Sequence, residues 1–284
     1  MPYPETANLP FNRSSLPSGF ILHPEPKPFS GGDARWVIII KGQKLLMQNG
    51  PKGLELPYGE MPDIIDSSKN PILFATWDGL PVCAGHAADN PAIPDNMTEE
   101  PFNAFQERIP VDIMTVAGLG KQLLHAAAMT RFCPACGGRP VQIEKSQGKR
   151  CPECGHEVYP PIHPCSIVLI KRGDQLLLIR KPEWPVGRYS LVAGFMDVGE
   201  SLEECTIREA MEETGVTIKN VRYVTSQAWP FPSQLMVGFT ADYAYGDIKV
   251  DGEEIDDARW FTIGSLPSLP ASRSIARFLI DSFS

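Results

Sequence analysis

Two cysteine pairs constrain the middle of this chain more than any other feature of its sequence. They are the C-x2-C motifs CPAC (133–136) and CPEC (151–154), with fourteen residues between them. Each motif can supply two thiolates, and two motifs supply the four soft ligands of a tetrahedral Zn²⁺ site. A redox pair is the alternative, but two pairs at this spacing favour zinc. We therefore expect a zinc ribbon with one structural Zn²⁺ per chain, bound by Cys133, Cys136, Cys151 and Cys154.

The zinc ribbon divides the sequence into three predicted domains. Residues 1–126 are predicted to form a mostly β domain, residues 127–160 the ribbon, and residues 161–284 a third domain. In the first domain, β-hairpins are predicted from apolar runs at 36–40, 44–48, 72–77 and 81–85. In the third, strand patterns alternate with helical patterns, which predicts an α/β or α+β fold with a mixed sheet. Its helices are predicted near 202–213 and 273–283.

The charge of the chain limits its partners. The formal net charge is −8, which argues against broad, non-specific nucleic-acid binding. An acidic enzyme acting on a polyanion needs a divalent metal ion to bridge the charges. No apolar run approaches the roughly 20 residues of a membrane span, and the N-terminal stretch is polar and proline-rich rather than like a signal peptide. We expect a cytoplasmic protein with no membrane partner.

The segment GFMDVGESLEECTIREAMEETGV (194–216) carries an acidic helix. Ser201 and Glu204 have the spacing of a capping box, so the helix is predicted to begin at about residue 202. Gly215 suits the left-handed position that ends it. At about 100° per residue, three glutamates lie on one side: Glu209, Glu212 and Glu213. A solvated acidic face balanced by Arg208 and a site for Mg²⁺ or Mn²⁺ are both consistent with the helix alone.

The whole segment matches G-x5-E-x7-R-E-U-x-E-E-x-G-U at every fixed position, where U is an apolar residue. It resembles the Nudix box. The resemblance implies a Nudix α/β/α sandwich that hydrolyses a nucleoside diphosphate linked to another moiety, with Mg²⁺ or Mn²⁺. It also implies that Glu209 and Glu213 bind metal and that Glu212 is a ligand or helper. Glu200 and Arg208 become orienting partners, and whether Glu213 is a base or purely a ligand stays open.

The stretch SQAWPFPS (226–233) is unusually rigid and aromatic. Its prolines predict a presented loop rather than a strand or helix. Its position ten residues past the box, after a zinc ribbon, resembles the NADH pyrophosphatase family, which includes enzymes that remove NAD from RNA 5′ ends. This chain departs from the family pattern SQPWPFPxS at two positions: Ala228 replaces the first proline, and Gln234 stands where the pattern has its final serine. The substrate contacts that the resemblance implies here are Gln227, Ala228, Trp229, Pro230, Phe231, Pro232, Ser233 and Gln234.

Aromatic rings in this stretch have two possible uses. Trp229 and Phe231 could stack on nicotinamide or adenine, with about 1–3 kcal/mol per stack by analogy with nucleic-acid bases, or they could pack in an ordinary core. The resemblance implies further substrate contacts by Tyr159, Phe195 and Ala276. It also implies two further metal ligands, the carbonyl of Ala193 and the carboxylate of Glu254.

The sequence thus predicts a metal-dependent pyrophosphohydrolase for the diphosphate of NAD(H). The products are nicotinamide mononucleotide and AMP, and an NAD-capped RNA would be left with a 5′-monophosphate. The resemblance also implies a homodimer. Two alternatives remain at this point: a Nudix hydrolase of another dinucleotide such as ADP-ribose, and a non-catalytic zinc-ribbon module that binds nucleic acid.

Overall fold

The computed structural model describes residues 9–41, 43–51, 53–102, 108–250 and 252–283. Within them the chain forms two compact units. The N-terminal unit contains Phe11–Ile162 and Pro230–Ser233, and the C-terminal unit contains residues 9–10, His163–Trp229 and 234–283. Among the described residues, no helix has both the length and the apolar character that crossing a membrane requires.

The N-terminal unit is built mainly on one sheet. Its strands are β1 (Phe20–Pro28), β2 (Ala34–Ile40), β3 (Lys44–Gly50), β4 (Gly53–Glu55), β5 (Tyr58–Gly59), β6 (Ile72–Trp77), β7 (Leu80–His86) and β8 (Met97–Pro101). They follow the order β1-β6-β7-β2-β3-β4, with β5 beside β2 and β8 beside β3. Only the β2–β7 pairing is parallel among the described strands of this sheet. The predicted hairpins are confirmed.

A single long helix, α1 (Val111–Met129), packs on this sheet. Gly120 permits the close approach, because a Cβ built there would lie 3.1 Å from Ala84 Cβ. Three short strands then form the ribbon sheet: β9 (Val141–Gln142), β10 (Lys149–Arg150) and β11 (Glu157–Val158). The described part of the N-terminal unit is therefore mostly β, as predicted.

The C-terminal unit has a six-stranded mixed sheet. Its elements are β12 (His163–Arg172), β13 (Gln175–Arg180), β14 (Val192–Phe195), α2 (Leu202–Thr214), β15 (Thr217–Trp229), β16 (Gln234–Tyr245), β17 (Asp257–Thr262) and α3 (Ile275–Asp281). The order is β15-β16-β12-β13-β17, with β14 beside β12. The β12–β16 pairing is parallel, and the other pairings are antiparallel.

Side-chain alternation along the sheet produces the layers. Val168 and Ile170 of β12 pack in one core with Ala210 of α2. Leu169, between them in sequence, packs in a second core with Leu279 of α3. Because successive strand residues point to opposite faces, α2 and α3 cover the two faces. The predicted α/β/α sandwich with a mixed sheet is confirmed.

The SQAWPFPS stretch departs from the predicted loop. Its first four residues are the end of β15 and pair with β16, where Gln227 lies opposite Met236 and Trp229 opposite Gln234. Only Pro230–Ser233 form the connecting turn, which contains a cis Phe231–Pro232 peptide. The loop prediction is wrong for 226–229, because the prolines begin only at Pro230 and the residues before it are free to join the ladder.

Candidate active site and zinc site

The acidic helix α2 has the predicted ends. Ser201 Oγ accepts a hydrogen bond from the Glu204 backbone N–H at 3.2 Å, and Glu204 Oε2 accepts one from the Ser201 N–H at 2.7 Å. This reciprocal pair confirms the capping box. Gly215 has φ of 71° at the C-terminal cap, which confirms the left-handed ending. The box residues are thus held on a helix with two defined ends.

The box glycine makes room for a metal-ligand candidate. Gly194 lies on β14, which packs beside α2. A Cβ built on Gly194 would overlap the carboxylate of Glu209. Its backbone φ is not left-handed, so close approach rather than backbone conformation explains this glycine. Glu209 is thereby held against the strand that also carries Ala193.

Glu213 is the most buried acid of the box. It is 3% exposed, and neither of its carboxylate oxygens accepts a hydrogen bond from the described residues. Burial raises its pKa to about 8; Glu209 and Glu254 add to the rise, and Lys181 and the backbone N–H of Ala193 oppose it. Burial also raises the pKa of Glu209. Because an unsatisfied buried carboxylate is costly, Glu213 suggests a site adapted to a cationic ligand.

Arg208 organises the other acids of the box. Its Nε and Nη2 donate to both oxygens of Glu200, at 2.6 and 2.9 Å. Its Nη1 donates to Glu209 at 2.8 Å and to Glu212 at 2.9 Å, and Nη2 also reaches the Phe195 carbonyl at 2.8 Å. Hydrogen bonding to Arg208 lowers the pKa of Glu200 to about 2. The orienting roles that the resemblance implies for Glu200 and Arg208 stay predictions, and this network is compatible with them.

The three helix glutamates do not share one environment. Glu209 and Glu213 are buried or half-buried, whereas the Glu212 side chain is 61% exposed and pairs with Arg208 at i−4. The predicted common acidic face is therefore divided between an inner pair and an outer residue. Arg208 balances the outer acid and also pairs with Glu209. A metal site formed by the inner pair stays a prediction.

Sequence reasoning missed Lys181. Its Nζ lies 3.9 Å from Glu213 Oε1 and 3.9 Å from Glu254 Oε2, so it links the helix acid to the late acid. Leu177 and Ile179 belong to the core on the α2 side of the sheet. Alternation from Leu177 and Ile179 places residue 181 on that same face. This period-two pattern was the available signal.

The predicted metal ligands are not gathered into one tight cluster. Among the residues that the structure describes, only the four cysteines form a group with all ligand atoms within 4.8 Å of one another. Glu254 lies in the segment before β17, and its side chain is 73% exposed. Lys181 therefore stands between two of the predicted ligands in this arrangement.

The Gln227 side chain forms hydrogen bonds to the backbone of three other residues. It is fully buried, and its Nε2 donates to the Pro10 and Arg273 carbonyls, both at 3.0 Å. Its Oε1 accepts from the Ile275 N–H at 2.8 Å. The amide thus connects β15 to Ile275 at the start of α3, to Arg273 just before that helix, and to Pro10. A substrate contact for Gln227 stays a prediction.

The turn after β15 belongs to the N-terminal unit. The Phe231 ring meets Phe11 edge-on at 5.8 Å and Phe102 at 5.5 Å. Lys121 of α1 donates from Nζ to the Pro230 carbonyl and lies 4.3 Å from the Phe231 ring centroid. The packing alternative for Phe231 is thus realised, while its side chain remains only half-buried.

The remaining residues of the stretch differ in exposure. Ser233 is buried, Pro232 is exposed, and Ala228, Trp229 and Gln234 are half-buried. Ala228 pairs with Leu235 in the β15–β16 ladder.

The outlying substrate candidates fall into both units. Phe195, at the end of β14, presents an exposed ring in the C-terminal unit. Ala276 is buried in the first turn of α3, within the core on that side of the sheet. Tyr159 is exposed in the N-terminal unit, where its hydroxyl donates to Glu157 Oε2 at 2.7 Å. Their substrate roles stay predictions.

The four ribbon cysteines form a compact group. Cys133 and Cys154 Sγ atoms are 3.6 Å apart, and those of Cys136 and Cys151 are 3.5 Å apart. Zn–S bonds of about 2.3 Å in a tetrahedron require sulfur separations of about 3.8 Å. Gly137 and Gly155 have φ of 78° and 76° and donate backbone hydrogen bonds to the first cysteine of each motif. The group fits a closed, structural zinc site.

The mixed sheet between two helical layers, with a capped helix of glutamates beside a glycine-bearing strand, defines a Nudix hydrolase. The NUDIX domain family model matches residues 161–281. The NADH pyrophosphatase zinc ribbon domain matches residues 129–159, and the NADH pyrophosphatase-like rudimentary NUDIX domain matches residues 34–125. The chain belongs to the NADH pyrophosphatase family of Nudix hydrolases, which includes proteins named NAD-capped RNA hydrolase NudC.

Curated relatives support this membership. The NAD-capped RNA hydrolase NudC of Pseudomonas aeruginosa strain LESB58 is 43% identical over 205 residues, which is 72% of this chain and 73% of the relative. The protein of the same name from Pseudomonas putida strain GB-1 is 46% identical over 180 residues, or 63% and 65% of the two chains. A solved NUDIX hydrolase from Nitrosomonas europaea is 26% identical and covers 48% of this chain and 80% of its own, with a TM-score of 0.42.

Proposed function

We propose that the chain hydrolyses the diphosphate of NAD(H) to nicotinamide mononucleotide and AMP, using Mg²⁺ or Mn²⁺. On an NAD-capped RNA the same cleavage leaves a 5′-monophosphate end. Membership of the NADH pyrophosphatase family supports the substrate, as do relatives named NAD-capped RNA hydrolase. Free NAD(H) and the RNA cap present the same nicotinamide–diphosphate–adenosine unit, so one site serves both.

The burial of the Glu213 carboxylate is the observation that supports a metal-dependent mechanism. A buried carboxylate without a hydrogen-bond partner in the described residues fits a site that takes a hard cation. The residues proposed to hold Mg²⁺ or Mn²⁺ are Glu209, Glu213, Glu254 and the carbonyl of Ala193. The absence of Cβ at Gly194 leaves Glu209 its place against the strand. Oxygen ligands of this kind suit both ions.

The reaction adds one water across the P–O–P bridge and yields two monophosphates. Bound divalent ions supply charge neutralisation of the phosphates and activation of water. Arg208 fixes Glu209 and Glu200 through the hydrogen bonds described above. Glu213 either takes the proton of the attacking water or serves purely as a ligand. In both cases its carboxylate must be ionised when metal is bound, and a cation lowers its pKa toward that state.

Aromatic side chains are proposed to hold the flat ends of the dinucleotide. In the C-terminal unit, the exposed ring of Phe195 and the half-buried ring of Trp229 are candidates for stacking. Tyr159 is a candidate in the N-terminal unit. Phe231 packs against two other phenylalanines, so its contribution is to support the turn as well as to present a ring face. The other proposed substrate contacts of this stretch are Ala228 and Gln234 in the C-terminal unit, and Pro230, Pro232 and Ser233 in the N-terminal unit.

Comparative kinetics test the substrate directly. We expect kcat/KM for NADH and for NAD-capped RNA to exceed that for ADP-ribose, with either Mg²⁺ or Mn²⁺ present. NAD⁺ should be included to show the effect of nicotinamide charge. Much faster cleavage of ADP-ribose than of NADH would contradict the substrate assignment. Retained RNA binding with no hydrolysis of any of these substrates would instead indicate a binding module.

A homodimer and a cytoplasmic location are further parts of this proposal. Their support is the family resemblance. Light scattering after size exclusion tests the dimer, because a homodimer has twice the 31.3 kDa mass of the chain. A single monomer peak at the working enzyme concentration would contradict it.

A further inference from the structure

Lys181 lies between two of the acids proposed to bind metal, Glu213 and Glu254. Its ammonium lies 3.9 Å from Glu213 Oε1 and 3.9 Å from Glu254 Oε2. Both distances are those of ion pairs and are too long for hydrogen bonds. The Lys181 side chain is 27% exposed, whereas Glu213 is buried. A partly buried cation thus lies within ion-pair distance of two carboxyl groups and leaves their oxygens without a hydrogen bond from it.

The backbone fixes Lys181 in this position. Arg180 is the last residue of β13 and pairs with Asp257 of β17. The Asp256 N–H donates to the Arg180 carbonyl at 3.1 Å, and the Arg180 guanidinium pairs with the Asp256 carboxylate. Residue 181 and the segment carrying Glu254 are therefore tied together close to the ion pair, one residue before Lys181 and two residues after Glu254. The strand pairing thus brings the backbone of residue 181 close to the segment that carries Glu254.

Glu213 has few other partners. Neither carboxylate oxygen has a well-formed hydrogen bond in the described residues. Lys181 and the backbone N–H of Ala193 lower its pKa, whereas Glu209 and Glu254 raise it. Removing Lys181 would take away the cation nearest to Glu213, while Arg208 pairs with Glu209. A cluster with that much uncompensated negative charge would bind a divalent ion more tightly.

From this geometry we propose that Lys181 is the built-in counter-cation of the metal site. It bridges Glu213 and Glu254 when no divalent ion is bound and competes with the ion for the same carboxylates. Lys181 is thus a positioning residue that keeps the acids in place and weakens metal affinity. This inference rests on the proposed metal-dependent function, since it assumes that Glu213 and Glu254 are ligands.

Mn²⁺ binding to the zinc-loaded protein without substrate tests the inference. Free Mn²⁺ is measured by electron paramagnetic resonance for the wild type, Lys181→Met and Lys181→Arg. We expect Lys181→Met to bind Mn²⁺ at least about fivefold more tightly, the effect of one unit charge at about 4 Å in water. Lys181→Arg, which keeps the charge, should stay near the wild type. Lys219→Met, on an exposed part of β15, is the matched control and should not change the affinity.

A Glu254 variant separates competition from a general charge effect. In the Glu254→Gln background, Lys181→Met should gain less affinity, because one of the two bridged carboxylates is gone. Unchanged or weaker Mn²⁺ binding by a folded Lys181→Met protein would overturn the counter-cation role while leaving the metal site intact. Mn²⁺ uptake by the wild type no greater than by Glu213→Gln would overturn the metal site itself, and the proposed function with it.

Discussion

Gly194 and Glu209 share one space: a side chain on the glycine would overlap the carboxylate of the glutamate. The box glycine is therefore required by the acid opposite it, which Arg208 holds in place at 2.8 Å. Glycine and acid belong to different elements, β14 and α2. Their fit links the strand that carries Ala193 to the helix that carries Glu213.

Gly194→Ala should damage the site more than the fold. The added methyl group must push the Glu209 carboxylate aside, so one metal ligand is displaced. We expect kcat/KM to fall by about 10²-fold, as for a misplaced reacting group, and Mn²⁺ affinity to weaken. Steady-state kinetics and Mn²⁺ titration measure these effects, and thermal melting is the control for folding. An unchanged kcat/KM in this variant would show that catalysis does not require the Glu209 carboxylate in its present position.

Zinc removal should unfold the ribbon locally. Four thiolates within 4.8 Å of one another repel once the metal is gone, and the three short ribbon strands provide little core. Cys136→Ser should lower both the zinc content, expected to be one per wild-type chain, and the melting temperature. Metal analysis and calorimetry measure both. Zinc loss with an unchanged melting curve would contradict the structural role.

Lys121 should hold the turn that follows β15. Its Nζ contacts the Pro230 carbonyl and the Phe231 ring, and burial lowers its pKa to about 8. Lys121→Met removes these contacts, so we expect a several-fold higher KM for NADH with a smaller change in kcat. The exposed Lys145→Met is the control. An unchanged KM for NADH would show that the contacts of Lys121 with this turn do not contribute to substrate binding.

The metal-free stability should depend on pH through Glu213. Its pKa is raised to about 8 in the folded protein, above the ordinary value of 4.5, so the folded state binds more protons than the unfolded state between these values. The contribution of Glu213 to the free energy of unfolding therefore falls as pH rises, by at most about 1.4 kcal/mol per unit. Glu213→Gln should remove this part of the dependence.

Urea unfolding at about pH 5.5 and about pH 8 measures the effect in zinc-loaded protein without Mg²⁺ or Mn²⁺. The wild type should lose more stability than Glu213→Gln over this interval. Other groups titrate as well, so the difference between the two proteins is the quantity that matters. An equal loss in both would show that Glu213 is not buried in a protonated state.

Local signals predicted the helix and its boundaries well. The capping pair Ser201–Glu204 and the terminal Gly215 are short-range features, and the structure has both as expected. The hairpins and the mixed sheet followed from apolar periodicity for the same reason. The ribbon cysteines were predictable because metal spacing is itself a local pattern.

Long-range pairing explains what the sequence did not reveal. Lys181 meets Glu254 only because β13 pairs with β17, and that register is not visible in either segment alone. Glu212 faces outward because Arg208 is available at i−4 and Glu200 anchors that arginine. Residues 226–229 form strand because β16 pairs with them, which overrides the loop signal of the prolines that follow.

The most direct test of the account is the kcat/KM for NADH of wild type and Glu213→Gln, measured side by side with Mn²⁺. The conservative change keeps the shape of the side chain and removes its charge, and Glu203→Gln, at an exposed position in the first turn of α2, is the matched control. We predict a loss of about 10²–10⁴-fold for Glu213→Gln and near wild-type activity for Glu203→Gln. Undiminished NADH hydrolysis by a folded Glu213→Gln protein would contradict the assignment of this helix as the catalytic site.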